Sequence, residues 1–413
     1  MYSDTPLIMV DDAETLTEIA ARLARAPAIG VDTESDSFYS YQEKVCLIQI
    51  SDLDADYIID PLTIGDLSAL APIMANPDIV KVFHGADYDV VCMKRDYAYT
   101  FRSLFDTMIA SQLLGSQRVG LADLIEEHFG VALEKKYQRY DWGRRPLGAE
   151  HIEYARGDSH WLPALREILI RRLKKRGRLE HLIEECALLE SRTWEGRPFD
   201  EDGYLKVKTA GRLDHRGLRV LRRLYLYRDE QARKMDRPVF KVIGDTDLVR
   251  IADGRPTTRS ELDKVLPGKM GLKRRHADAL ARAVRLGLED DFPIPERKPK
   301  QPAPTGPTPR LRGRAAERAL AVLKAWRNDL VKANADLTPV AAISNGTLKE
   351  ISRLRPLSAE EMGRVPEVRR WQVQDYGNAI LAILDRVAPW TEADEAGYQK
   401  RRKRARGTKK KRQ

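Results

Sequence analysis

The chain is predicted to fold as an α/β part with a mixed sheet flanked by helices, followed by two all-helical units. Three observations support this prediction. Residues 1–175 alternate strand and helix patterns, strand patterns almost vanish after residue 175, and two later stretches resemble each other at a period near 100 residues. With 413 residues, the chain has room for two or three domains that each bury a core.

The strands and helices of the α/β part are predicted from apolar periodicity and from turn residues. Strands are predicted near 28–34, 44–51, 56–60 and 79–84, with a further candidate near 99–102. Helices are predicted over 12–25, 64–75, 86–95, 103–114, 120–129 and 149–170. The second and third strands follow the first closely, which indicates antiparallel neighbours before parallel crossovers begin and therefore a mixed sheet.

Four carboxylates and one phenol are offered by three of these elements. Asp32 and Glu34 lie two apart on a strand, so their side chains share a face. Tyr154 and Asp158 lie four apart on a helix and share a face there, and Asp89 follows a short strand at the start of another helix. Hard oxygen ligands in this number suit Mg²⁺ or Mn²⁺.

The motifs D-x-E, HGADYD and Y-x-x-x-D resemble the three exonuclease motifs of the DEDD superfamily, in its tyrosine-bearing branch. The sequence around these motifs is similar to that of the ribonuclease D family. The similar segments occur in the family's order: VDTES, VCLIQIS, KVFHGADYDV, LFDTMIASQLLG, DWGRRPL and YARGDSHWL. The resemblance covers roughly the first 175 residues and implies a ribonuclease-H-like exonuclease fold.

The resemblance also implies two divalent ions, Mg²⁺ or Mn²⁺, and a role for each of the five residues. Asp32 would bridge both ions, Glu34 and Asp158 would complete the ion that holds the nucleophile, and Asp89 would serve the leaving-group side. Tyr154 would position or deprotonate the attacking water; orientation is the favoured role, since a phenol with an ordinary pKa of ~10 is a poor base.

Several neighbouring residues have two interpretations each. Asp87 is an alternative to Asp89 as the ligand, although the resemblance of HGADYD favours Asp89. Asp106 in LFDTM is expected to be a buried or capping carboxylate rather than a fifth ligand. His84 is either close to the site or a structural histidine at a strand end.

The stretch DWGRRPL contributes three candidate RNA-binding residues. Trp142, Arg144 and Arg145 could hold the terminal nucleotides of an RNA by stacking and by phosphate contacts. The alternative is a packed tryptophan with surface arginines, and the sequence leaves both open.

The two repeated stretches resemble the HRDC domain, a small helical bundle that assists nucleic-acid binding in its families. The predicted organisation is an exonuclease domain over 1–175, a helical connector over 176–210, a first HRDC domain over 211–292, a proline-rich linker over 293–310, a second HRDC domain over 311–392 and a basic, disordered tail over 393–413.

The net charge of +10 is carried by the end of the chain. Residues 399–413 contain ten lysines and arginines and no acid, so the remaining bases and acids balance. Such a segment attracts phosphate backbones without reading sequence, or else serves only as a solubilising end.

The resemblance implies a metal-dependent 3′–5′ exoribonuclease that releases nucleoside 5′-monophosphates. Its expected substrates are tRNA precursors and other small structured RNAs with single-stranded 3′ ends. The alternatives are a 3′–5′ DNA exonuclease in repair and a non-catalytic RNA-binding scaffold. A helicase motor is not expected, because the sequence contains no G-x-x-x-x-G-K-[ST] motif.

A cytoplasmic location without membrane association is expected. No apolar run approaches the ~20 residues of a membrane helix, and the first residues lack the pattern of a secretory signal. The three cysteines are widely spaced and suggest neither a disulfide framework nor a zinc site.

Overall fold

A computed structural model describes residues 5–194, 196, 198–268, 270–295, 308–334 and 336–399. The strands are β1 (Leu7–Val10), β2 (Ala28–Ser35), β3 (Val45–Ser51), β4 (Asp56–Ile59), β5 (Val80–Phe83) and β6 (Leu104–Asp106). The helices of the α/β part and the connector are α1 (Ala13–Leu23), α2 (Pro61–Ile64), α3 (Ala71–Ala75), α4 (Asp87–Tyr97), α5 (Thr107–Leu113), α6 (Leu121–Phe129), α7 (Ala149–His160), α8 (Leu162–Lys175) and α9 (Leu179–Ser191). Three 3₁₀ turns span Ser68–Leu70, Glu201–Lys206 and Ala210–Arg212.

The remaining helices belong to the two helical units. The first helical unit is residues 211–292, and the second helical unit is residues 311–392. The first contains α10 (His215–Lys234), α11 (Val239–Val242), α12 (Asp245–Gly254), α13 (Arg259–Val265) and α14 (Met270–Glu289). The second contains α15 (Gly313–Ala333), α16 (Pro339–Ala342), α17 (Asn345–Leu354), α18 (Ala359–Gly363) and α19 (Arg370–Val387).

The six strands form one mixed sheet in the order β1-β4-β3-β2-β5-β6. β3 runs antiparallel to both β2 and β4, whereas β5 runs parallel to β2 and β6, and β1 runs parallel to β4. Helices α7 and α8 pack on strands of this sheet. The prediction of a mixed sheet flanked by helices is therefore confirmed.

Several of the predicted elements differ from the structure, and one strand was missed. The candidate strand at 99–102 is wrong: the strand is β6, inside the range predicted as the start of a helix, and with three residues it is too short to show a period. β1 was not predicted. The predicted helix over 64–75 is interrupted. Helix α2 ends at Ile64, and the backbone φ of Gly65 is +79°, outside the range of a right-handed helix. The predicted helix over 149–170 is two helices, because Pro163 in the first turn of α8 has no N–H to continue the ladder of α7.

The internal duplication is visible in the cores of the two helical units. Ile251 of the first unit and Ile351 of the second are fully buried at matching places. Buried Arg228 donates to the carbonyl of Ile243 at 3.2 Å, and Arg327 repeats the bond to the carbonyl of Ile343 at 3.0 Å. Each buried guanidinium thus satisfies a carbonyl that ends a short helix.

The two helical units contact different parts of the α/β part. In the second unit, Trp371 stacks on His181 of α9 with ring centroids 4.4 Å apart, and its indole joins the core of the α/β part. In the first unit, Asp229 of α10 accepts a hydrogen bond of 2.7 Å from the hydroxyl of Tyr41, in the loop after β2. Lys241 lies over the ring of Tyr39 in the same loop, 3.6 Å from the centroid.

The predicted linker and tail lie largely beyond the described residues. Residues 296–307 of the linker and 400–413 of the tail are outside them. The prediction of disorder is wrong for residues 393–399, which belong to a helical segment over 392–399. Trp390 of the second helical unit donates to Glu395 at 2.8 Å, and the ring of Tyr398 lies 5.0 Å from the guanidinium of Arg310, which directly precedes that unit, so this segment packs against the ends of the unit. Within the described ranges, no helix combines the length and apolar character needed to cross a membrane.

Candidate active site

Strand β2 presents Asp32 and Glu34 on one face of the sheet. In the antiparallel register with β3, Asp32 lies opposite Gln49 and Glu34 opposite Leu47. The register shifts between Glu34 and Ser35, the last residue of the strand. Alternation along the strand thus places both carboxylates toward the carboxyl end of β2, on the face that α7 covers.

Helix α7 brings Tyr154 and Asp158 over the same face. One carboxylate oxygen from each of Asp32, Glu34 and Asp158 can be chosen so that all three lie within 4.8 Å of one another. This meeting depends on Gly30, since a Cβ there would lie 2.5 Å from the carbonyl oxygen of Ser159. The absence of a side chain at Gly30 therefore lets α7 approach β2 closely.

Asp89 lies beside these three carboxylates, in the first turn of α4. It is buried, and its carboxylate accepts a hydrogen bond of 2.5 Å from the hydroxyl of Thr33. Its charge helps to raise the pKa of both Asp32 and Asp158. Asp87, the alternative ligand, is exposed and pairs with Arg192. The structure thus brings Asp89, and not Asp87, to the carboxylate group.

The four carboxylates hold protons more tightly than ordinary acids. Burial, followed by mutual repulsion, raises the pKa of Asp32 and Glu34 well above the ordinary range. Burial also raises the pKa of Asp89 to about 6 and that of Asp158 to about 7. Bound cations would relieve this repulsion, so the donor set, with hard oxygen atoms and excess negative charge, fits Mg²⁺ or Mn²⁺.

Tyr154 is placed to donate a hydrogen bond rather than to accept a proton. Burial and the neighbouring charge of Asp158 raise the pKa of its phenol. The ring packs against Tyr137 and Trp142, at centroid distances of 5.7 and 5.9 Å. A rigidly held, protonated phenol is suited to orienting a water molecule.

The prediction that Trp142 and Arg145 bind RNA is contradicted by their packing. Trp142 is only 1% exposed, so it offers no face on which a base could stack. Arg145 forms a two-pronged ion pair with Asp60 and donates to the carbonyl of Cys46 at 2.7 Å. Arg144 alone points outward, with 71% of its side chain exposed and an ion pair of 3.2 Å to Asp141.

Asp106 has the structural role expected from the sequence. It is buried and caps α5 by accepting from the backbone N–H groups of Met108 and Ile109. The same carboxylate accepts from the N–H groups of Gly85 and Ala86, at 3.2 and 2.8 Å. Asp106 therefore fixes the turn that leads into α4 and its Asp89.

His84 satisfies both interpretations left open by the sequence. Its Nδ1 lies 2.9 Å from the hydroxyl of Thr107, which in turn bonds the carbonyl of Phe83. Its ring also lines the cleft above the carboxylates.

The cleft above the carboxylates has a volume of about 330 Å³ and adjoins a second of about 320 Å³. The segment between α6 and α7 forms its outer wall with Leu133, Glu134, Lys135 and Gln138. Sequence reasoning missed this wall, although the run KKYQRY over 135–140 interleaves bases with aromatic residues, a pattern typical of nucleic-acid contact.

Comparisons with known proteins agree with this geometry. Residues 7–174 match the 3′–5′ exonuclease family, and residues 217–284 and 316–384 each match the HRDC domain. Ribonuclease D of Sphingobium indicum is 32% identical over 304 residues, which cover 71% of this chain and 76% of that protein.

Two solved structures extend the likeness. The catalytic core of RRP6 from Trypanosoma brucei is 33% identical with a TM-score of 0.64, covering 71% of this chain and 82% of that one. The RNase D of Escherichia coli, described as an exoribonuclease involved in structured RNA processing, is 25% identical with a TM-score of 0.66. That match covers 92% of this chain and 99% of the other, so it includes both helical units.

Proposed function

The chain belongs to the ribonuclease D family and is a 3′–5′ exoribonuclease, and we propose that it cleaves with two divalent cations held by Asp32, Glu34, Asp89 and Asp158. The observation that carries this proposal is the meeting of three carboxylates within 4.8 Å on two different elements. Four acids in one half-buried cleft are costly without cations, because like charges repel strongly where water is scarce.

Each carboxylate has a distinct place in this proposal. When bound, two Mg²⁺ or Mn²⁺ ions lower the pKa of the attacking water and stabilise negative charge on the leaving oxygen. Asp32, whose pKa is raised by the charges of all three other acids, would contact both ions. Glu34 and Asp158 would hold the ion on the nucleophile side, and Asp89, held by Thr33, would hold the ion on the leaving-group side.

Tyr154 is proposed to position the attacking water. Burial and the neighbouring charge of Asp158 raise the pKa of its phenol, which favours the protonated form that donates a hydrogen bond. Its packing against Tyr137 and Trp142 limits the orientations of the ring. Trp142 thus acts through Tyr154 and not through the substrate.

The proposed substrates are tRNA precursors and other small structured RNAs with single-stranded 3′ ends. The cleft has a volume of about 330 Å³, which suits a single terminal nucleotide. Lys135 and Gln138 on its wall can contact phosphate and base edges. We also propose a cytoplasmic location, which suits three cysteines that are buried and unpaired.

The test uses a 5′-labelled RNA with a single-stranded 3′ tail and its DNA counterpart, each with Mg²⁺, with Mn²⁺ and with chelator. Asp32→Asn should abolish the ladder that shortens from the 3′ end. Asp87→Asn is the matched control, because this acid lies on α4 but is exposed and outside the carboxylate group. A stronger ladder on DNA would favour a DNA exonuclease, and RNA binding without cleavage would favour a scaffold.

A further inference from the structure

Gln49 is a fully buried amide beside the carboxylates. Its side chain is 0% exposed, and neither its Nε2 nor its Oε1 has a hydrogen-bond partner among the described residues. Buried side-chain amides in folded proteins are nearly always hydrogen-bonded, because an unpaired one lowers stability. The amide therefore calls for a functional explanation.

The register of the sheet places Gln49 next to Asp32. The two residues are directly opposite in the antiparallel pair of β2 and β3, so their side chains share the face covered by α7. The Cβ atoms of such a pair are about 5 Å apart, which brings the Gln49 amide within reach of the Asp32 carboxylate.

The rest of this pocket is apolar and would accommodate a hydrocarbon side chain. Leu47 precedes Gln49 on the same face, Ile58 lies opposite it on β4, and both join Ala155 of α7 in one buried cluster. Ser51, the next residue on that face, is already bonded to Ser159 at 2.8 Å. An apolar residue at position 49 would pack as well and leave no polar atom unpaired.

We propose that Gln49 is a positioning residue for Asp32, whose amide N–H donates to the Asp32 carboxylate when cations are bound. This inference rests on the proposed cation binding. Cation binding leaves Asp32 ionised, and an ionised carboxylate is a stronger acceptor than a protonated one. The bond would fix the orientation of the carboxylate, as residues behind a ligand commonly do in metal sites.

The experiment compares Gln49→Met with Ser51→Ala in the full chain, without RNA. Gln49→Met keeps the length and volume but removes the donor, whereas Ser51→Ala removes a bond that is internal to the fold. Mn²⁺ affinity is measured by calorimetry, and thermal unfolding is measured in chelator. We expect Gln49→Met to weaken Mn²⁺ binding by about 10- to 100-fold while its metal-free unfolding temperature stays equal or rises. Ser51→Ala should lower the unfolding temperature and leave Mn²⁺ binding unchanged.

A structural role for Gln49 gives the opposite pattern. Unchanged Mn²⁺ affinity with a lower unfolding temperature for Gln49→Met would overturn the inference. Absence of Mn²⁺ binding by the unaltered chain would instead overturn the proposed function, so the two failures are distinguishable. A second measurement does not depend on a folded variant: with ¹⁵N-labelled glutamine, the side-chain signal of Gln49 should shift when Mg²⁺ is added, and an unmoved signal would refute the bond.

Discussion

The hydroxyl of Thr33 donates a hydrogen bond of 2.5 Å to the carboxylate of Asp89. Thr33 lies on β2 between Asp32 and Glu34, whereas Asp89 lies 56 residues later on α4. The bond therefore joins two of the three elements that carry the candidate ligands. It also lowers the pKa of Asp89, against the larger effect of burial, and so favours the ionised form that binds a cation.

Thr33→Val should weaken catalysis without unfolding the chain. The substitution keeps the shape of the side chain but removes the donor, so Asp89 loses its orientation and its pKa rises further. We expect about a 10- to 100-fold loss of activity at neutral pH, with partial recovery at higher pH. Thr33→Ser, which retains the hydroxyl, is the control and should stay near full activity. Equal activity of the Val and Ser variants over the pH range would show that the bond is dispensable.

Asp158→Asn should stabilise the metal-free protein at high pH. The pKa of Asp158 is about 7 in the folded chain, above its ordinary value of 3.8, so the folded state holds the proton more tightly. Stability therefore falls as pH rises from about 4 to about 7, and Asn removes this loss. In chelator at pH 8, the variant should unfold at a higher temperature than the unaltered chain, and the difference should shrink at pH 5.

Manganese should reverse the order of stability in that experiment. The ion binds only the folded, ionised site, so it should raise the unfolding temperature of the unaltered chain more than that of Asp158→Asn. Asp87→Asn, an exposed change on α4, should leave both trends intact. A pH-independent difference between Asp158→Asn and the unaltered chain would contradict the electrostatic explanation.

Local periodicity was sufficient to predict that each pair of site residues shares a face, but not that the two pairs lie close together in the fold. Alternation placed Asp32 and Glu34 on one face, and helical spacing did the same for Tyr154 and Asp158. That α7 crosses β2 closely depends on Gly30, whose role becomes visible only when the carbonyl of Ser159 is seen above it.

The errors arose where a side chain is satisfied by a distant partner. Arg145 pairs with Asp60, 85 positions away, and the short motif DWGRRPL carries no trace of that contact. Trp142 looked equally suited to stacking on a base or packing in a core until the sheet and α7 enclosed it. β1 pairs with β4 across the edge of the sheet, and four residues are too few to show that pairing by period.

Tyr41→Phe should impair the handling of structured RNA more than that of short single strands. The substitution removes the bond to Asp229, which holds the first helical unit against the loop that follows β2. The net contribution of a hydrogen bond is roughly 0.5–1.5 kcal/mol, so we expect about a twofold to tenfold higher KM for a structured RNA and an unchanged kcat for a short oligonucleotide. Tyr227→Phe is the control, because its hydroxyl bonds His276 within the first helical unit. Equal effects of the two variants, or an equal loss on both substrates, would argue against a coupling role for Tyr41.

Removal of residues 400–413 should flatten the salt dependence of RNA binding. This segment contains ten lysines and arginines, and each phosphate that such residues neutralise contributes about 0.7 to the slope of log affinity against log salt for single strands. Truncation after Gln399 retains the helical segment over 392–399, so any change comes from the lost charges.

The matched control replaces the ten bases with serine at constant length and should behave like the truncation. The rate of cleavage at saturating RNA should not change, because the carboxylate site is intact. A slope equal to that of the unaltered chain would mean that the segment does not contact RNA.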